Sequence, residues 1–397
     1  MAVHLPIYMD HHATTPVDPR VAEAMLPYLT EKFGNAGSAH SFGQEAKAAV
    51  DDSRARLAAA IGAEPDEIVF TSGATESNNL AIRGVAGRQR RRGDHLVSVV
   101  TEHEAVLDPL SRLERKGFEV TLLGVSPHGD SQAGRLDPDE FADVLRDDTL
   151  LASVMLANNE IGVVHPIEDV AEICRRRGVL LHCDATQGVG RIPVDVRALG
   201  VDLLSLTAHK TYGPKGTGAL YVRSGRPTVR LEPQVTGGGQ ERGVRSGTLN
   251  VAGIVGLAAA VELAVSDLAA EMSRLAGLRR RLWEALREQT PQIELCGPAL
   301  DATDAPGRPI RLPGNLNVLF NGIDGETLML SIDGVAVSTG ATCASADPEA
   351  SHVLRALGLS DDQARSTLRF GLGRSNTADE VDYVASTVAA AAARLRV

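Results

Sequence analysis

Between residues 16 and 222 short apolar runs alternate with amphipathic stretches of ten or more residues, a rhythm that few architectures accept. The runs are EIVF (67–70), HLVSVV (95–100), FEVTLL (118–123), LLASVML (150–156), VLLHC (179–183), DLLSL (202–206) and GALYV (218–222). Short, nearly continuous apolar runs are the pattern of strands buried on both faces. The segments between them read as helices over about 41–61, 75–92, 105–116 and 166–177. Asp18-Pro19 and Asp137-Pro138 each pair an N-cap with a proline at the first helical position and so open two more, the first running through Val21, Ala24, Met25 and Leu29. Strands joined by crossover helices form a largely parallel sheet between helical layers, so the expected class is α/β.

After GGGQERGVRSGT (237–248) the rhythm changes. A long Ala/Leu/Arg-rich helical stretch over about 250–288 leads into mixed α+β structure. It comprises NLNVLF (315–320), helices at 324–332 and 349–357, TLRFGLG (367–373) and a terminal helix from about 377. The predicted division is a large domain over 16–260 and a small domain built from 1–15 and 261–397. The Pro/Gly-rich stretch 297–314 is the loop or insertion candidate of the small domain.

Composition narrows the chemistry. Lys+Arg total 40 against Asp+Glu 51, a net charge of −11, and aromatics are 3%, which excludes a globally basic, base-stacking nucleic-acid binder. The dense RQRRRG (88–93) reads as a solvated helix C-terminus, where cations are favoured. No basic leader precedes an apolar stretch and no uninterrupted apolar window approaches a membrane span, so a cytoplasmic protein is expected. The cations include only five lysines, Lys32, Lys47, Lys116, Lys210 and Lys215. The 4 cysteines, Cys174, Cys183, Cys296 and Cys343, make neither a disulfide framework nor a CxxC zinc site. Amine or thiol chemistry therefore has few candidates.

Six short motifs carry those candidates. In SLTAHKTYGPKGTGALYV, Thr207, His209 and Lys210 follow a strand at its carboxyl end, where open α/β sheets bind ligands. A polar turn with a solvated lysine is the other reading. In VLLHCDATQGVG, Asp184 leaves a buried strand as a turn residue, or as a carboxylate that keeps a pyridine nitrogen protonated, with Gln187 three residues on. TSGATESNN places Ala74 and Thr75 where free N–H groups at a helix start can cradle phosphate, although ordinary strand-to-helix turns look alike. His103 in TEHEAVLD is either a structural histidine or a ring that exchanges protons. Asn159 in ANNEIGV is a turn residue or an orienting amide, and Arg369 in TLRFGLGR is an ion pair or a carboxylate clamp. Cys343, in VSTGATCASADPEASHVLRALG, lies among Ser, Thr, Gly and Ala without periodicity, as expected of a mobile loop. The other three cysteines read as small buried hydrophobes.

Together DHHATTPVDPRV, TSGATESNN, TEHEAVLD, NNEIGVV, DATQGVG, AHKTYGPKGTGALYV, GGGQERGVRSGT, ATCASADPEASHVLRALG and LRFGLGR resemble, in order, the cysteine desulfurases of the class V aminotransferases. These are fold-type I enzymes dependent on pyridoxal phosphate (PLP), and the housekeeping iron–sulfur-cluster type is the most similar. The resemblance implies Lys210 as the Schiff-base lysine, Asp184 on the pyridine nitrogen, Gln187 on the phenolic oxygen and His103 stacked on the ring. It implies Ala74, Thr75, Thr207 and His209 around the phosphate, with Thr248 supplied by the second subunit of a homodimer. Asn159 and Arg369 would hold the substrate carboxylate, and Cys343 would receive sulfur from L-cysteine as a persulfide and pass it to protein acceptors. The competing readings are a selenocysteine or cystine C–S lyase on the same fold, which would not need Cys343, and a non-catalytic scaffold.

Overall fold

The computed structural model describes residues 3–90, 92–225, 228–304, 307–339 and 350–396. Its strands are β1 (Ile7–Tyr8), β2 (Ile68–Thr71), β3 (His95–Val99), β4 (Glu119–Leu123), β5 (Thr149–Met155), β6 (Leu180–Asp184), β7 (Leu203–Thr207) and β8 (Gly218–Val222). In the second half they are β9 (Ile293–Cys296), β10 (Asn315–Phe320), β11 (Val335–Ala336), β12 (Ser338–Thr339) and β13 (Thr367–Gly371). All seven apolar runs of the first half become strands of one sheet, in the order β2-β8-β7-β6-β5-β3-β4. The chain is an α/β protein.

Strands β7, β6, β5, β3 and β4 are parallel to their neighbours, whereas β8 runs antiparallel to both β7 and β2. The cause is connection length. A parallel return needs a crossover of a dozen or more residues, and only the 208–217 turn separates β7 from β8. The sheet's strands are flanked by helices that bury aliphatic faces, and one apolar core gathers Val50 and Leu57, Val154 and Leu181, and Ile254 and Leu257.

Helix boundaries follow local chemistry. Asp18 and Asp137 accept from the amides of Arg20 and Asp139 at 3.0 and 2.8 Å, so both predicted caps form. The first helix is shorter than its apolar spacing suggests. It ends at Met25, and a second turn starts at Pro27, which has no N–H to continue the ladder. The Ile167–Arg177 helix stops at Gly178 with φ 68°, a left-handed residue that closes the last carbonyls.

The predicted 250–288 helix is two helices, Val251–Ser266 and Leu268–Gln289, bent by 73°. The first is buried almost all round. The second is amphipathic and packs Leu275, Leu282 and Leu286 into a separate core with Ile7, Met9, Phe320, Phe370 and Val384. That core carries the sheet β12-β13-β10-β9 and the parallel pair β1-β11. The described part of the 297–314 stretch is held by two buried arginines. Arg311 is fully buried and donates to the carbonyls of Cys296 and Pro298 at 2.9 and 2.7 Å, while Arg279 holds those of Leu312 and Leu300 at 2.7 Å. Among the described residues no single helix is long and apolar enough to cross a membrane.

Candidate functional site

The parallel strands end at one edge of the sheet, and the segments leaving those ends enclose a cleft of about 690 Å³. Strand β6 delivers Asp184 and then Gln187. Strand β7 delivers Thr207, and a tight turn over Ala208–Lys210 carries His209 and Lys210. Ala74 and Thr75 open the Ala74–Gln89 helix after β2, His103 follows β3, and Asn159 follows β5. Arg369 reaches the same cleft from β13 of the small sheet. Ten of the twelve residues singled out in the sequence thus line one cavity. Thr248 does not. It lies in a small neighbouring depression that shares Ser72 and Gly216 with the cleft. Cys343 lies outside the described residues.

Lys210 Nζ donates to the carbonyl oxygens of His12 and Ala13 at 2.5 and 2.6 Å. Burial, followed by the nearby cations Arg191 and Arg369, pushes its amine down to about 7. Asp184 is buried and accepts from Asn78 Nδ2 at 2.7 Å and the Thr186 amide at 2.9 Å. Gln187 donates to the His12 carbonyl at 3.0 Å and accepts from Arg191. Arg191 also donates to the carbonyls of His11 at 2.6 Å and Lys210 at 3.0 Å, so one guanidinium ties the N-terminal segment to the lysine turn.

At the other end, Gly73 (φ 150°) precedes the helix whose first residues line the cleft. A Cβ at Gly218 would stand 2.6 Å from the Leu206 oxygen and 2.7 Å from Gly73 Cα, so only glycine lets β8 approach this turn. The Ser72 amide is taken by Glu76 Oε2 at 2.7 Å, and Glu76 pairs with Arg245 at 2.7 Å. His209 contacts Thr14 Oγ1 at 3.1 Å, and burial followed by Lys210 and Lys215 pushes its ring down to about 4, so it is neutral. Thr207 donates its hydroxyl to the Thr217 carbonyl at 3.2 Å.

His103 has a structural duty as well, because its Nδ1 caps the Glu104–Glu114 helix by accepting from the Ala105 amide at 3.0 Å. Arg369 is already paired. Its Nη2 meets Asp10 at 2.8 Å and Ser338 Oγ at 3.0 Å, and Nη1 donates to the Asn159 carbonyl at 3.2 Å, leaving Nε buried without a partner. The ion-pair reading of this arginine and its place in the cleft therefore hold together.

The sequence reading missed His12, Arg191, Asn78 and the Glu76–Arg245 pair. Asn78 and Glu76 had a signal, since both lie in the first turns of the helix that opens at the cradle, on the N-terminal side where polar groups collect. It also missed Glu102, which is fully buried, accepts from the Met155 amide at 2.5 Å and has its carboxyl pushed up by desolvation. The three described cysteines are buried, and burial raises all of them, Cys296 to about 12. Among the described residues no cluster of His, Cys, Asp or Glu could hold a metal ion.

A family model, aminotransferase class-V, matches residues 7–384. The chain is 54% identical over 380 residues to cysteine desulfurase IscS of Anaeromyxobacter dehalogenans (strain 2CP-C), covering 96% of this chain and 90% of that protein. A solved structure titled as a NifS-like protein superposes with a TM-score of 0.89 at 37% identity, covering 98% of this chain and 100% of that one. Another, titled SspA in complex with cysteine, superposes with a TM-score of 0.78 at 34% identity, covering 92% and 98% of the two chains. On the match to nearly its whole length, the chain belongs to the class-V aminotransferase family.

Proposed function

We infer that the protein is a PLP-dependent cysteine desulfurase that moves the sulfur of L-cysteine onto Cys343 and releases L-alanine. The observation that carries this reading is the convergence of Lys210, with its depressed amine, and buried Asp184 in one cleft beside a helix-start cradle. The residues present fit the cofactor. The cradle offers amides and the hydroxyl of Thr75, and Asp184 offers a carboxylate already oriented by Asn78. A buried polar atom of the cleft wall, Thr186 Oγ1, lacks a partner in the protein.

When bound, pyridoxal phosphate supplies an electron sink for the pair released at the substrate Cα. Lys210 would hold the cofactor and move the Cα proton, a role suited to an amine that both takes and gives up a proton near pH 7. Asp184 would keep a proton on the ring nitrogen, Gln187 would address the phenolic oxygen, and His103 would lie against the ring. Ala74, Thr75, Thr207 and His209 would surround the phosphate. Thr248, placed outside this chain's cleft, would serve the second subunit of a homodimer. Asn159 and Arg369 would orient the substrate carboxylate. The Cys343 thiolate attacks the substrate sulfur. The C–S bond breaks, Cβ gains a proton, and cysteine plus thiol becomes alanine plus persulfide.

The division into 16–260 and 1–15 with 261–397 would place the cofactor and the cysteine segment on separate units. Acceptor proteins for iron–sulfur cluster assembly or thiolation would take the sulfur, in a cytoplasmic setting. Cys343→Ala tests the reading. Turnover of L-cysteine should nearly vanish, whereas a selenocysteine or cystine lyase would keep most of its activity and a scaffold would have none to lose.

A further inference from the structure

His12 lies in the N-terminal segment that lines the cleft, and it is only 2% exposed. Its Nδ1 stands 2.9 Å from Arg191 Nη1 and 3.0 Å from Gln187 Oε1. A guanidinium has hydrogens only to donate, and the Gln187 oxygen already accepts from the same nitrogen. The lone pair of His12 is therefore at Nδ1 and its proton at Nε2. That Nε2 is buried and has no partner in the protein. Burial, then Arg191 and Arg369, hold the ring well below its ordinary value, so it stays neutral. A buried donor left unmatched is costly and rare in native proteins, which marks this one as waiting for a ligand.

The surroundings identify the ligand's charge. Arg191, Arg369 and Lys210 all act on His12, and no carboxylate contributes among the leading influences on its ring. Asp10 is engaged by Arg369 at 2.8 Å, and Asp184 by Asn78 at 2.7 Å. This end of the cleft therefore has an excess of cations and one free neutral donor.

We propose that His12 is a further substrate-contacting residue, whose Nε2–H, fixed in that tautomer by Arg191, donates to the α-carboxylate of the amino-acid substrate. The proposal rests on the amino-acid reading of the cleft given above. It adds a neutral donor to the charged grip of Arg369. Such a donor raises selectivity for a carboxylate without adding another cation that would pull the Lys210 amine further down.

The test uses the holoenzyme and follows the change in visible absorbance of the bound cofactor on adding L-cysteine, L-alanine or cysteamine. Cysteamine keeps the amine and thiol and lacks the carboxylate. His12→Ala should weaken binding of both amino acids by about 10- to 100-fold, the worth of a hydrogen bond to a charged group. Cysteamine binding and the spectrum of the resting enzyme should not change. His12→Gln, which restores an N–H at a similar reach, should recover most of the loss. Equal losses for cysteamine and L-cysteine, or none for either, would overturn the proposal. So would an altered resting spectrum, which places the contact on the cofactor. If His12→Ala does not fold, nitrogen NMR of the unaltered holoenzyme decides. An unprotonated Nδ1 and an Nε2–H signal that moves with L-alanine support the proposal, and a protonated Nδ1 contradicts it. Because L-alanine binding is read without turnover, a holoenzyme that binds L-alanine through His12 yet forms no persulfide from L-cysteine would sink the desulfurase reading alone.

Discussion

Lys210 Nζ sits 2.5 Å from the backbone oxygen of His12, so the amine of the turn after β7 is held by a segment almost two hundred residues away in sequence. The contact closes the cleft from the N-terminal side. It also brings Arg191, which holds the carbonyls of both His11 and Lys210, close enough to depress the amine.

The pH dependence of cofactor capture follows from that placement. An ordinary lysine near 10.4 is neutral in only about one molecule in 2,500 at pH 7, whereas Lys210 at about 7 is half neutral. Uptake of pyridoxal phosphate by the apoprotein should rise through pH 7 and level off above it. Arg191→Met removes a neighbouring cation, favours the protonated amine and should move the midpoint upward. Since the folded amine releases its proton below the unfolded one, this site makes the apoprotein more stable as pH rises from about 7 toward the ordinary lysine range. Stopped-flow absorbance against pH measures the midpoint, and a value near that of a free lysine would contradict the assignment.

Glu76 places a carboxylate on the Ser72 amide at the helix start, and Arg245 neutralises it. Arg245→Ala should leave that charge unpaired beside the phosphate cradle and weaken cofactor binding by about fivefold or more. The double variant Arg245→Ala/Glu76→Gln should bind more tightly than Arg245→Ala alone. Equilibrium titration with pyridoxal phosphate reads both effects, and strictly additive losses would argue against the coupling.

Glu241 is buried and holds Arg54 through two contacts, at 2.6 and 2.9 Å, while accepting the Phe70 amide at 2.8 Å. Glu241→Ala strands the Arg54 charge and should cost about 3–5 kcal/mol of stability. Urea unfolding checks this. A loss below 1 kcal/mol would show that the 236–248 segment does not depend on the pair.

Burial raises the thiols of Cys174, Cys183 and Cys296, so alkylation of the native protein at pH 7 should modify Cys343 first. The other three should react only after unfolding. Peptide mass spectrometry locates the label, and prior reaction at any of the three would contradict the ordering.

Much of this architecture is legible in sequence because β-strand ends and helix starts announce themselves locally. Asp184 and Thr207 follow apolar runs directly, Lys210 comes three residues after Thr207, and Thr75 follows a strand by a glycine turn. What was not legible depends on long-range packing. His12 meets Gln187 and Arg191 only because the N-terminal segment folds back over the lysine turn. Arg245 reaches Glu76 from 169 residues away. The break at Asp267 separates two helices whose partners lie in different cores, which no helical periodicity in the stretch reveals. Arg311 looks like a loop residue and instead ties that loop to the small sheet.

The central claim is that sulfur leaves L-cysteine for Cys343 while the carbon skeleton leaves as alanine. Incubating the holoenzyme with L-cysteine and no acceptor, then quantifying alanine and weighing the Cys343 peptide, tests it directly. The account predicts alanine formed in step with one added sulfur atom on Cys343; alanine with an unmodified Cys343 would contradict it.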